Sequence, residues 1–173
     1  MENAKVVVDA TCGNGHDLLY LSKRAQKACH LYGIDIQMKA IKTSKELLQS
    51  NDIAPEVSLT FIHDSHDLAV AHQLKDEVID LMIFNLGYLH GGDHQVVTKP
   101  HQTIDAINEG LHKLSKSGVI TIVAYPGTTE GFEEMQSLKS YLSDLDQKIY
   151  NVCHWHPMNQ IHNPPELFIL QKR

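Results

Sequence analysis

Val6-Val7-Val8-Asp9-Ala10-Thr11-Cys12-Gly13-Asn14-Gly15-His16-Asp17 is the stretch that decides the fold. Lys5–Asp9 is a short apolar run ending in an acid, the pattern of a buried parallel strand. Gly13 and Gly15 follow, and glycine lets the backbone take positive φ and come close to a ligand. From Gly15 to Lys27, Leu18, Leu21 and Ala25 fall at helical spacing. Strand, glycine turn and helix in that order aim a helix N-terminus at a ligand beyond the strand's carboxyl end.

Outward from this unit the period keeps switching. Leu31–Asp35 is a second strand ending in an acid. Gln37–Ser50 is a helix with Ile41, Ser44 and Leu48 on one face, and Val57–Ile62 is a third strand. A short helix over Asp67–Gln73 precedes the apolar fourth strand, Ile79–Phe84. The helix Thr98–Ser115 carries Ile104, Ile107, Leu111 and Leu114. Gly118–Tyr125 is a fifth strand stopped by Pro126-Gly127, and Thr129–Ser143 is the last helix. Strands Lys148–His154 and Leu167–Gln171 have no helix between them. The alternation predicts an α/β, Rossmann-like, seven-stranded, mostly parallel sheet with right-handed crossovers and a C-terminal antiparallel hairpin. A length of 173 residues is expected to make one domain over residues 1–173. With its first strand starting at residue 5, the ligand mouth is expected to be thinly covered.

Composition narrows the class. The chain is 42% hydrophobic and 21% charged, which excludes disorder and coiled-coil repeats. Its longest apolar stretch, around Val119–Tyr125, is far short of the ~20 residues of a membrane span, so no membrane partner is expected. Asp9 breaks the N-terminal apolar run, so no signal peptide is expected. Cys12, Cys29 and Cys153 make an odd, widely spaced set that suits a reducing cytoplasm. Lys plus Arg is 15 against 21 for Asp plus Glu, a net charge of −6. That argues against a broad basic face for nucleic acid. Only Lys23-Arg24-Lys27 and Lys172-Arg173 are basic groupings, and a homodimer would gather them into one surface. Cys153, His154, Trp155, His156 and His162 suggest zinc at first sight. Alternate residues of a strand face opposite ways, however, which leaves no closed four-ligand set, so no metal is expected. The histidines read instead as a solvated or RNA-facing cluster, and His30, His72 and His112 as surface residues.

The loop chemistry selects a cofactor. Asp35, at the end of the second strand, is placed to accept hydrogen bonds from ribose hydroxyls. A dinucleotide would want glycine or alanine where Leu18 stands. Asp9 would repel a pyrophosphate, but it would attract a sulfonium and an α-amino group. S-adenosylmethionine is therefore the expected cofactor, with a dinucleotide as the alternative. Its expected contacts are Asp9, Gly13, Asn14, Gly15, Asp17, Asp35, Ile36 and Asn85. Asp64 and Ser65, in His63-Asp64-Ser65-His66-Asp67, are added, with Asp64 accepting from the adenine amino group. The alternative is that Ser65 or Asp67 only caps the next helix.

The fourth strand runs into Asn85-Leu86-Gly87-Tyr88-Leu89-His90-Gly91-Gly92-Asp93-His94. Methyl transfer to nitrogen needs an amine lone pair held in line with the S–CH3 bond. A side-chain amide oxygen such as that of Asn85 accepts the amine's N–H bonds and aims the lone pair. Tyr88 is suited to stacking on a planar base. Loss of the amine's proton calls for a base, with His63, His66 and His90 as candidates. Asn85, Tyr88 and His90 are thus the expected catalytic residues, and Tyr88, His94 and Asn163 the expected substrate contacts. For Asn163 a rigid hairpin loop is the alternative.

VVDATCGNGHD, GIDIQ, FNLGYLHGGDH, TIVAYPGTTEG and NPPELFILQKR occur in order over essentially the whole chain. Together they resemble the YtqB-type family long labelled rRNA methylases. The resemblance implies a class I S-adenosylmethionine-dependent methyltransferase. Family members with an assigned activity, the MnmM-like enzymes, methylate the aminomethyl group on the wobble 2-thiouridine of certain tRNAs. By that resemblance the partner is the tRNA anticodon region, and Gly13, Gly15, Asp35 and Asn85 serve cofactor or substrate. Methylation of rRNA or a small molecule, or cofactor binding without turnover, are the alternatives. The chain departs from the family pattern at His90, where proline is usual, and at Thr128, where histidine is usual. The family's further N-terminal helix of roughly 20 residues, which lids the cofactor, precedes the first strand in its usual members.

Overall fold

A computed structural model describes residues 4–25, 28–87 and 99–173. The strands are β1 (Val6–Asp9), β2 (Cys29–Asp35), β3 (Val57–His63), β4 (Ile79–Asn85), β5 (Leu114–Ala124), β6 (Tyr150–Trp155) and β7 (Glu166–Lys172). They form one sheet in the order β3-β2-β1-β4-β5-β7-β6. The first five are parallel, and β7 lies antiparallel to both β5 and β6. Strand order reverses between β1 and β4, which is where an open α/β sheet splays its loops to form a crevice.

The helices are α1 (His16–Arg24), α2 (Met38–Gln49), α3 (His66–Leu68, continuing as a π turn over Ala69–Gln73), α4 (Pro100–Lys113) and α5 (Thr129–Ser143). Phe84, Met82, Ile107, Ile120, Leu138 and Phe168 fill a core between one sheet face and α3, α4 and α5. Val7, Leu18, Leu31, Ile41 and Leu48 fill a second core under α1 and α2. Each such side chain contributes about 1.5–3 kcal/mol by leaving water. Close approach matters at Gly33, where a Cβ would lie 2.5 Å from Leu18 Cδ1. Glycine there seats α1 on β2 and so sets the height of the loop before α1. No helix among the described residues is long and apolar enough to cross a membrane.

The element order agrees with the sequence reading, but several edges move. The first helix ends at Arg24 rather than Lys27, because Ala25 is already extended. The fifth strand begins at Leu114, not Gly118. Leu114 pairs with Ile79 ahead of a register shift, and Ser117 takes the left-handed conformation at φ 66. Ser115 Oγ also donates to Asp80 Oδ1, and Asp80 Oδ2 accepts from the N–H groups of Lys5 and Val6. Asp80 thereby ties the starts of β1 and β5 together, and these bonds and nearby Lys5 outweigh the upward push of burial, holding its carboxyl below the usual range. The sixth strand runs Tyr150–Trp155 rather than Lys148–His154, since Lys148 N–H is engaged by Asp146 Oδ1 in the preceding turn. His30, read as a surface residue, is half-buried. It stacks on Tyr32 with centroids 4.1 Å apart and bonds Thr60 Oγ1. Thr128 is the N-cap of α5, with its Oγ1 accepting from Gly131 N–H at 3.1 Å.

Candidate active site

The loop between β1 and α1 is tied to three elements. Ala10 N–H donates to Ile83 O, and Asn85 N–H donates to Thr11 Oγ1 at 2.7 Å, which joins the loop to β4. Cys12 N–H donates to Ile34 O, and Gly13 N–H to Asp35 Oδ2 at 3.0 Å, which joins it to β2. Ser44 Oγ of α2 donates to Gly13 O at 2.7 Å. Gly13 and Gly15 sit at φ 49 and 84. Gly15 is the N-cap of α1 and offers no side-chain cap, so the first N–H groups of α1 remain available to a ligand. A Cβ on Gly15 would stand 2.9 Å from both Cα and Oγ of Ser44. Gly15→Ala is expected to cost about 2 kcal/mol or more, from left-handed strain plus overpacking. A urea denaturation curve checks this, and an unchanged midpoint would count against the geometry.

Three acids face this loop. Asp9 is 1% exposed, and its Oδ1 accepts from Thr11 N–H at 3.2 Å. Its Oδ2 is buried with no partner. Burial, helped by the charges of Asp17 and Asp35, pushes its pKa up to about 8. Asp35 is half-buried, with Oδ1 accepting from Gln37 N–H at 2.8 Å and Oδ2 from Gly13 N–H. Burial raises its pKa too, although both backbone bonds and His63 oppose the rise. Asp17 lies exposed in the first turn of α1, and Asn14 is half-buried.

At the next strand end, Ile36 is 53% exposed and its carbonyl accepts from His63 Nε2 at 2.9 Å. Asp64 Oδ1 accepts from Ser65 N–H and Oδ2 from Gln73 Nε2. Ser65 is the N-cap of α3 but makes no side-chain cap bond, and Asp67 does not supply one either. The capping alternative for these residues is therefore corrected. Ser65 Oγ, His66 Nε2 and Asp67 Oδ1 are buried without partners, like Asp9 Oδ2. Burial lowers the His66 pKa, so its ring is neutral. The ring meets Phe84 edge-on at 5.8 Å, one residue before Asn85. Asn85 ends β4 with its side chain exposed. Tyr88, His90 and His94 lie outside the described residues.

Asn163 is exposed in the loop before β7, at φ 51. That loop reaches the same end of the sheet, since Glu166 pairs with Ala124, the last residue of β5. The histidines beside it are exposed, and two of them also bond a buried carboxylate, which the sequence reading did not include. Buried Glu166 takes Lys139 Nζ at 2.9 Å, His154 Nε2 at 2.5 Å and His156 Nδ1 at 3.1 Å. Burial pushes the Glu166 carboxyl up, but the bonds from Lys139 and His154 outweigh that and hold it below its usual range. His154 also stacks on Phe168 at 4.6 Å. Among the described residues no histidine, cysteine and carboxylate group has the geometry to hold a metal.

The chain is similar to known proteins over most of its length. A family model described as "Putative rRNA methylase" matches residues 31–171. The crystal structure of a "putative rRNA-methylase" from Clostridium thermocellum is 36% identical with a TM-score of 0.89, over 98% of this chain and 89% of that one. A "putative methyltransferase" from Streptococcus mutans, solved in complex with SAH, is 33% identical with a TM-score of 0.85, over 99% of this chain and 90% of that one. The chloroplastic tRNA (mnm(5)s(2)U34)-methyltransferase of Arabidopsis thaliana is 27% identical over 183 residues. That alignment takes in 99% of this chain, which spans 65% of the length of that relative.

Proposed function

Because the chain belongs to the rRNA methylase family, we propose that it is an S-adenosylmethionine-dependent N-methyltransferase. The acceptor is the 5-aminomethyl group of the wobble 2-thiouridine of tRNA. One observation carries the choice of cofactor: a buried, unpartnered carboxylate oxygen on Asp9, with Asp17 and Asp35 around the same loop. A pyrophosphate would add negative charge to this group of acids, whereas an ammonium and a sulfonium relieve it. The residues therefore fit S-adenosylmethionine. Asp9 receives the α-amino group, and the N–H groups at the start of α1 receive the carboxylate. Asp35 takes the ribose hydroxyls beside the N–H bonds it already accepts. Ile36 and the Asp64-Ser65 turn flank the adenine. Gly13, Asn14, Gly15 and Asp17 complete the contact loop.

When bound, the cofactor supplies an electrophilic methyl group on a sulfonium. The chain's residues position what attacks it. Asn85 Oδ1 accepts an N–H of the acceptor amine and directs the lone pair toward the methyl carbon. The amine must first lose a proton, because an alkylamine is protonated at neutral pH. His63 Nε2 is engaged by the Ile36 carbonyl and His66 keeps a buried nitrogen without a partner, and with His90 these two are the candidate bases. Tyr88, His90 and His94 belong to the same acceptor segment, with Tyr88 stacking on the base.

The test is transfer of tritiated methyl from S-adenosylmethionine to tRNA that lacks the terminal methyl, run beside rRNA and small amines. Labelling of the wobble nucleoside alone is expected. Labelling of rRNA or amines instead would overturn the tRNA assignment.

A further inference from the structure

The end of β6 carries chemistry that the proposed methyl transfer does not use. We propose that Trp155, with the His154–Glu166–His156 clamp and Lys139, is the docking site for the RNA nucleotide next to the methylated base. This rests on the tRNA reading of the acceptor.

Register supplies the first argument. Asn85 pairs with Val123, Val123 with Leu167, and Leu167 with Trp155. Directly paired residues point to the same face of a sheet. Asn85 and Trp155 therefore stand in one row on one face, three strand spacings or roughly 14 Å apart. Between them the floor is Val123 and Leu167, both half-buried and uncharged. A base held at Asn85 thus has an apolar trough leading to an aromatic ring. Trp155 is 60% exposed, although tryptophan is a side chain that folding normally covers.

The opposite side of the same strand end supplies the second argument. His154 and His156 each spend one ring nitrogen on Glu166 and turn the other, Nδ1 of His154 and Nε2 of His156, away from it. The carboxylate is nearly enclosed, its side chain 6% exposed, whereas His156 is 48% exposed. Lys139 shares Oε2 with His154. The carboxylate is covered while its partners lie at the surface, Lys139 among them with its side chain 34% exposed, so the surface here presents a lysine cation beside two imidazole rings. Aromatic stacking beside a cation is what a single-stranded nucleic acid segment uses, base on ring and phosphate on cation. An RNA strand straddling the end of β6 places its base on Trp155 and its phosphate on the histidine side.

Trp155 is the chain's single tryptophan, so its emission reports on this site alone. The experiment titrates an anticodon stem-loop RNA bearing the unmethylated aminomethyl-uridine into the full chain and follows Trp155 fluorescence, with methyl transfer measured in parallel. A saturable emission change in the concentration range of the RNA KM is expected. Trp155→Ala is expected to raise that KM about tenfold or more, with kcat within about twofold and S-adenosylmethionine affinity unchanged. Trp155→Phe should recover most of the loss. Transfer with flat Trp155 emission, or an unchanged KM in Trp155→Ala, overturns this docking site and leaves the acceptor assignment standing. No transfer to RNA by the unaltered chain overturns both. An emission change that depends on protein concentration without RNA would assign Trp155 to a second copy and overturn the proposal.

Discussion

Asn85→Ala is expected to lower kcat for methyl transfer by about 100-fold, while the affinity for S-adenosylmethionine changes by no more than about threefold. The magnitude is that of losing alignment between a lone pair and the bond it must attack, about 2.7 kcal/mol of barrier. Affinity is spared because the backbone holds the loop: Asn85 donates its main-chain N–H to Thr11 Oγ1, a bond that alanine keeps. Single-turnover rates at saturating cofactor and RNA measure the effect. Unchanged turnover would remove Asn85 from the acceptor site, and a parallel loss of cofactor affinity would make it a cofactor contact instead. Asn85→Asp is informative too, because it keeps an acceptor oxygen and should retain more activity than alanine.

Asp9→Asn separates function from stability. The variant is expected to bind S-adenosylmethionine about 100-fold more weakly, the scale of losing one partner of a buried charge pair. Its folded state without ligand is expected to be more stable than the parent's at about pH 8. A carboxyl whose folded pKa is raised to about 8 from 3.8 contributes stability that is fully present below about pH 4. That stability is lost progressively as pH rises to about 8, because the unfolded chain ionises while the folded one resists. Asparagine is neutral throughout and escapes this loss. Thermal melts should show Asp9→Asn a few degrees above the parent near pH 8, with the gap closing toward about pH 4. A variant that melts lower across the whole range would show that Asp9 is not held against its ionisation.

Much of this arrangement is legible in the sequence because a parallel strand leaves a strong mark. Val6–Val8 and Ile79–Phe84 read as apolar runs, and Asp9, Asp35 and Asn85 announce strand ends by breaking them. Glycines at 13 and 15 signal a turn that other residues adopt with strain, and both are left-handed in the structure. The C-terminal hairpin follows from the missing helix between the last two strands. What was not legible depends on contacts distant in the chain. Glu166 meets His154 and Lys139 across separations no periodicity encodes, so the carboxylate that these exposed histidines bond was not visible in the sequence. Pro164-Pro165 ahead of Glu166 marks a stiff entry to β7 but does not name the residue's partners. Leu114 joins β5 only because Ile79 lies opposite and a register shift absorbs the intervening residues. The π turn at Ala69–Gln73 has no local signature, and His30 is half-buried because Tyr32 and Thr60 happen to lie beside it.

The acids around the β1–α1 loop make the central claim measurable, since a cation should bind the ionised form of Asp9. Calorimetric titration with S-adenosylmethionine, and separately with NAD, from about pH 6 to about pH 9 tests it most directly. Binding of S-adenosylmethionine alone is predicted, with affinity rising as pH rises to about 8 and levelling above it. About one proton should be released per ligand near pH 7, seen as a buffer-dependent heat. Binding of NAD, or an S-adenosylmethionine affinity that ignores pH and releases no proton, would contradict the account.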